Sequence, residues 1–442
     1  MFRAALTKLL PKSTGTTNGA FLLRRAVQPS PATGLKIQRF YSPNPLANVN
    51  PVALQMINYA LGLARSQNTD ESYAQAMLVL EQGLTSQSHE ETDSSTENSK
   101  AMVFLAISSL LSERGNTDEA MQALLRIQDL TSSSLGVRVA AMEALVGLNL
   151  ELGLDDTSSV LADKCLNLLE KEAPQNGEEY GYKVFSARSK AVKGLVQLVQ
   201  GDMESAKVFF EGCQDEGCTG NAALSYGEFL HAKRDFTAAK EIYQKVIADT
   251  SEKKDFSDPY ALGACNMAPE EVLLAATCSL GQLESHLGNF GDAEEILTRA
   301  LKKAEERFGT HHPKVGTLLT CIALMYRQKA MAERSSSLLI QEGLYRKAID
   351  LLKDPALETD DANGSVEKQT QNVERRDIVA LARGGYAEAL GVQENRKAEG
   401  ERMKKWAEAA WRNRRLSLAE ALDISESSSK VPVVDARICR AL

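Results

Sequence analysis

The sequence predicts an all-α fold, a solenoid of helical hairpins, and three observations carry that prediction. Ala and Leu are abundant while aromatics make up only 6% of the 442 residues, which favours helix over sheet. A spacing of small, small, large and small residues, twelve, four and three positions apart, recurs along the chain. Its clearest copy is Gly281, Ala293, Leu297 and Ala300, with Gly288-Asn289 at the turn. Hydrophobic content of 43% and charged content of 25% are those of an ordinary globular protein.

Residues 1–41 read as a cleavable targeting presequence. Phe2, Ala5, Leu6, Leu9 and Leu10 share one helical face with Arg3 and Lys8 off it, and the first acidic residue is Asp70. A basic, hydroxyl-rich, acid-free start of this kind is the composition of an organellar transit peptide. The Arg39-Phe40-Tyr41 step resembles a plant-type mitochondrial processing site, with cleavage between Tyr41 and Ser42. A mitochondrial address, in the matrix or on the inner-membrane face, is therefore expected; a chloroplast address is the alternative. No apolar run reaches the roughly 20 residues of a membrane span. Removing the seven basic residues of this segment takes the net charge from −8 to −15. So acidic a body repels a phosphate backbone and argues against broad nucleic-acid binding.

Ser42–Asn50 is a Pro/Asn-rich spacer, and Pro51 opens the first helix where its missing N–H costs nothing. The spacing then appears as Ala64, Ala76, Leu80 and Gly83. A polar stretch, Thr85–Ser99, reads as a flexible loop. Ser108, Ala120, Leu124 and Ile127 follow, turning at Gly115-Asn116; a degenerate copy is Val146, Ser158, Ala162 and Cys165, turning near Gly153. Gly194, Ala206, Phe210 and Cys213 turn at Gly201-Asp202, and Gly227, Ala239, Tyr243 and Val246 turn near Asp235-Phe236. An insertion, Thr250–Pro269, precedes the clearest copy. The intervals between copies run from 33 to 54 residues while the inner spacing holds. That is a repeat array with linkers of different length. Small residues let paired helices approach closely, the large one fills the gap, and neighbouring hairpins must stack because none buries its apolar face alone.

This pattern resembles the tetratricopeptide repeat over about 51–352, with repeats near 51–84, 101–130, 139–170, 187–217, 220–249, 270–305 and 313–352. Phe308–Tyr326 with Gly343–Leu351 is similar to the longer repeats of kinesin light chain, where a His-Pro step opens a hairpin. Ala323 lacks its partner twelve residues on, so the extra residues before Tyr345 and Ala348 are expected to lengthen the second helix. The resemblance implies a right-handed α-solenoid whose first helices line a concave groove for a partner peptide or helix. In register, it assigns that groove to Asn58, Leu61 and Arg65; Met102, Leu105 and Ser109; and Arg188, Ala191 and Leu195. Asn221, Leu224, Glu228 and His231 continue it, then Cys278, Gln282 and Ser285, and Thr320, Leu324 and Arg327. The Lys/Asn cluster with which many such repeats clamp a terminal carboxylate is not visible.

Residues 353–376 form a polar linker. Residues 377–422 read as C-terminal basic helices that cap the array, and 423–442 as a flexible tail. Within the cap, Arg396, Lys397, Arg402, Lys404, Lys405, Arg412, Arg414 and Arg415 offer a basic surface. That surface is the alternative function: association with mitochondrial RNA or ribosomes.

No phosphate loop, dinucleotide fingerprint, HExxH or nucleophile elbow is present. Cys213, Cys218 and His231 lack a fourth ligand for zinc, and adjacent His311 and His312 point apart on a helix start. Seven irregularly spaced cysteines fit a reducing compartment. The expectation is a protein with no catalytic residues, no metal and no cofactor, a scaffold or assembly factor for an organellar complex.

Overall fold

The computed structural model describes residues 49–86, 93–172, 179–213, 218–251, 258–263, 268–335, 337–352, 375–423 and 430–442. The expected presequence, the expected Tyr41–Ser42 cleavage step and most of the 353–376 linker lie outside the described residues. The chain is an all-α helical-repeat solenoid built from consecutive helix pairs. The pairs are α1 (Pro51–Gln67) with α2 (Asp70–Ser86), α3 (Ser94–Glu113) with α4 (Thr117–Gln128), and α5 (Leu135–Glu151) with α6 (Asp155–Lys171). Next come α7 (Glu179–Val199) with α8 (Met203–Phe210), α9 (Gly220–Ala232) with α10 (Phe236–Ser251), and α11 (Pro269–His286) with α12 (Phe290–Phe308). The last two are α13 (Pro313–Ala332) with α14 (Leu338–Leu351) and α15 (Arg376–Gly391) with α16 (Lys397–Ala410), followed by short α17 (Leu418–Leu422). Each first helix also touches the next first helix, from α1 through α15, so these helices form one continuous row.

Close packing inside the hairpins explains the spacing. A Cβ on Gly227 would lie 2.8 Å from the Tyr243 ring, on Gly281 2.7 Å from Leu297, and on Gly194 2.8 Å from Phe210. In each case the large residue sixteen positions on occupies the space that glycine leaves. The turns share a second device, a left-handed residue, at Asn68, Gly115, Gly153, Gly201, Arg234, Gly288 and Arg334. Glycine adopts that conformation without strain, which is why the glycine turns are legible in the sequence and those at Arg234 and Arg334 are not.

Four expectations are corrected. Residues 94–99 are helical, not loop: Asp93 accepts from the Thr96 amide at 2.8 Å, and the buried Asn98 and Ser99 accept from the amides of Ser134 and Asn50. Their polarity serves neighbouring segments rather than solvent. The extra residues after Ala323 lengthen the first helix, which runs on to Ala332, and not the second. Residues 376–410 are a further packed hairpin, the eighth among the described residues, rather than a bare cap, with Gly385 close against Tyr345 of α14. Finally, 430–442 is no loose tail. Val433, Val434, Arg437, Ile438, Cys439, Ala441 and Leu442 are essentially inaccessible to solvent. They form a small hairpin in which β1 (Val434–Asp435) pairs antiparallel with β2 (Arg440–Ala441).

Candidate partner-binding site

The row of first helices is unusually rich in buried acid. Glu113 on α3, Glu143 and Glu151 on α5, Glu228 on α9 and Glu271 on α11 are all buried. A buried carboxylate persists only with a charged or hydrogen-bonding partner, and here the partners are basic. Arg65 and Arg307 converge on Glu113 at 2.7 and 2.8 Å. Burial pushes the Glu113 carboxyl up, but the two guanidiniums outweigh it and hold its pKa down at about 2. Arg188 makes a two-pronged contact to Glu143 at 2.9 and 3.0 Å, with its guanidinium 3.8 Å over the Tyr260 ring. Arg375 pairs with Glu151 at 2.9 Å, and Lys314 with Glu271.

The Glu228 partner comes from far along the chain. Arg437, fully buried, bonds to Glu228, to the Asn221 side chain, to Ser225 at 3.3 Å and to Asp435 at 2.7 Å. Burial is the largest influence on Glu228 and raises its pKa well above the usual carboxylate range; Arg437 pulls against it, while Asp435 adds to the rise. Two carboxyls thus share one guanidinium. Three residues on, Arg440 donates to Asp377 at 2.7 Å, to Asp155 at 2.8 Å and to the Leu150 carbonyl at 2.9 Å. Between these anchors Gln282 grips the backbone itself. Its Nε2 donates to the Val434 carbonyl at 2.9 Å, and its Oε1 accepts from the Val434 amide at 2.8 Å. A carboxamide can do both at once, so this clamp reads an extended chain whatever its side chain. Asn413 donates to the Ala441 carbonyl at 2.6 Å, and Arg415 donates to the carbonyls of Val431 and Leu442.

The structure therefore places the residues assigned to the groove in several different settings. Asn221, Glu228 and Gln282 meet the 430–442 segment directly. Leu324 shares a small cavity with Val434 and Leu422, and Arg327 donates to the Leu422 carbonyl at 2.5 Å. Leu61, Met102, Leu105, Ala191, Leu195, Leu224 and Cys278 are buried in the helix packing, so they fill the core. Arg65, Ser109 and Arg188 belong to the ion pairs above, and Asn58 is exposed. His231 is fully buried, 2.8 Å from His286 and 3.3 Å from the Tyr243 hydroxyl. Ser285 bonds to Gln328, and Thr320 to the Gly316 carbonyl at 2.9 Å. Sequence reasoning missed Ser225, Asp155, Asp377 and Asn413 on the receiving side, and Asp435, Arg437 and Arg440 on the segment. The available signal was the run Val431-Pro432-Val433-Val434, too apolar and β-branched for a solvated tail.

The basic surface is divided. Arg396 is held by Glu342, Glu399 and the Tyr386 hydroxyl, and Arg415 is buried, its pKa lowered by burial to about 10. Lys397, Arg402, Lys404, Lys405, Arg412 and Arg414 remain exposed. Among the described residues no helix is long and apolar enough to cross a membrane. No group of three or more His, Cys, Asp or Glu residues able to hold a metal occurs among them either.

A tetratricopeptide-repeat family model matches residues 273–314, which span α11, α12 and the step into α13. No curated protein matches the chain. The match, set within a row of similarly packed hairpins, supports a tetratricopeptide-like repeat protein, a class whose members generally serve as non-enzymatic protein-interaction scaffolds.

Proposed function

We propose that the chain is a non-catalytic assembly or maintenance scaffold for an organellar complex, holding a partner polypeptide against its row of first helices. The observation that carries this reading is the Gln282 clamp on Val434. The first-helix face already grips an extended polypeptide by its backbone and, through Glu228, by its charge. The basic, acid-free start of the sequence supports a mitochondrial address. Affinity purification of the tagged full chain from isolated mitochondria, followed by mass spectrometry, tests both parts. A specific partner should be recovered, and the N-terminus of the imported protein should be Ser42. Recovery of no partner above an unrelated matrix protein, or an uncleaved N-terminus, would count against the respective half.

The alternative, association with organellar RNA or ribosomes, draws on the six basic residues of 396–415 that stay exposed. Binding through them would fall steeply with added salt. Capture that persists from about 50 to 200 mM salt would favour the groove.

A further inference from the structure

We infer that the acid-lined first-helix face is a site for an arginine-bearing extended peptide of Asp-Xaa-Arg-Xaa-Xaa-Arg type, and that residues 430–442 are its resident occupant, exchangeable for a partner segment of the same chemistry. The inference rests on the groove reading above and names the class of partner.

Three features support exchange over simple filling. The contacts that hold the segment are those of peptide recognition: a carboxamide clamp on the backbone, plus one carboxylate-lined pocket for each of two arginines. Apolar residues would fill the same space with equal or greater stability, since burying an ion pair barely repays its desolvation. What such pairs add is selectivity for the charged side chain. Second, the face is ill suited to standing empty. Without Arg437, the fully buried Glu228 loses its cationic partner, and Asp155 and Asp377 lose Arg440. An arginine from elsewhere satisfies the same groups. Third, the receiving groups lie on α6, α9, α11 and α15 and at Asn413 and Arg415 just after α16, on elements that pack within their own hairpins, whereas the strand pairing of 430–442 is with itself. A tethered occupant of this kind competes at an effective concentration of about a millimolar. A free partner therefore succeeds by binding well below that, or by arriving where it is locally concentrated.

The test uses the full chain with residues 424–429 replaced by a protease recognition sequence, folded first and cut afterwards. The probe is a fluorescein-labelled peptide of sequence 430–442. Before the cut, the tethered segment should keep the probe's apparent affinity low. After it, affinity should rise by at least about tenfold, and the original segment should be lost on gel filtration with helicity retained. A second probe, with Arg437→Glu and Arg440→Glu, should fail to enter. The inference is overturned if the cut segment resists a hundredfold excess of probe, if its loss melts the helices, or if the Glu-substituted probe enters equally well. Partner capture from mitochondria reads separately. Capture without peptide exchange would sink this inference alone, and exchange without capture would sink the organellar reading alone.

Discussion

Gly227 and Glu228 are neighbours on α9 and serve opposite kinds of interface. Gly227 makes room for Tyr243 of its own hairpin, sixteen residues on, in a contact made wholly of shape. Glu228 meets Arg437, 209 residues away, in a contact made of charge. The first interface defines the solenoid, and the second defines what lies on it. Damage to one should therefore be separable from damage to the other.

The largest effect is expected from Arg437→Ala. Removing one member of a buried ion pair typically costs about 3–5 kcal/mol, because the other charge stays buried and unpaired. The chain can relieve that cost by releasing 430–442. Hydrogen exchange should then become fast in 430–442 while far-UV helicity and protection of α9–α12 persist. Simultaneous loss of protection throughout α9–α12 would show that the two interfaces are one cooperative unit, and the comparison would break.

Acid should act next, at a contact between the neighbouring first helices α9 and α11. His286 is half-buried against His231, and desolvation lowers its pKa from about 6.5 to about 4, with Arg234 adding to the fall. The unfolded chain thus binds the proton more readily than the folded one. Stability from this group is complete above about pH 6.5 and falls as pH drops towards 4, by about 3 kcal/mol over the window. Glu228 and Glu271, whose pKa values are raised by burial, slope the opposite way above about pH 4.5. The difference between wild type and His286→Phe in urea titrations at pH 7 and pH 4.5 isolates the imidazole. A difference independent of pH would refute the assignment.

Gly227→Leu should cost about 1–3 kcal/mol by overpacking, since even its Cβ would lie 2.8 Å from the Tyr243 ring. The urea midpoint of the helices should fall. That loss should persist in a chain already lacking the Arg437 side chain, because the overpacked contact closes within its own hairpin.

These two interfaces were unequally legible. Gly194, Gly227 and Gly281 could be paired with Phe210, Tyr243 and Leu297 because their contacts close within one hairpin and so recur at fixed spacing. Asn221, Glu228 and Gln282 could be placed on the first-helix face for the same reason, since helical register depends only on local sequence. Their occupant could not. Arg437 to Glu228 and Val434 to Gln282 span 209 and 152 residues, and nothing local to either end announces the other. Arg396, ion-paired while partly exposed, and Arg415, buried, were misjudged as free surface charges on similar grounds. Charge in a sequence does not say whether a carboxylate such as Glu342 or a carbonyl such as that of Val431 awaits it.

Two further substitutions, one of them the smallest effect expected, sharpen the comparison most, because they divide the Arg437 pocket atom by atom. Ser225 contributes one hydrogen bond to Arg437 at 3.3 Å, near the limit of useful geometry. Arg437 keeps Glu228, Asp435 and Asn221 when that hydroxyl is removed. Ser225→Ala should therefore weaken docking of 430–442 by less than about 1 kcal/mol. Asn221 does more, donating to Glu143 at 2.7 Å while accepting from Arg437, so it joins the Arg188–Glu143 pair to the segment. Asn221→Ala strands acceptor capacity on Glu143 and should cost about 1–3 kcal/mol. Hydrogen exchange at Val434 and Arg437 reads both. If the two substitutions prove equal, the pocket recognises a guanidinium by carboxylate charge alone, and Asn221 has no part in positioning it.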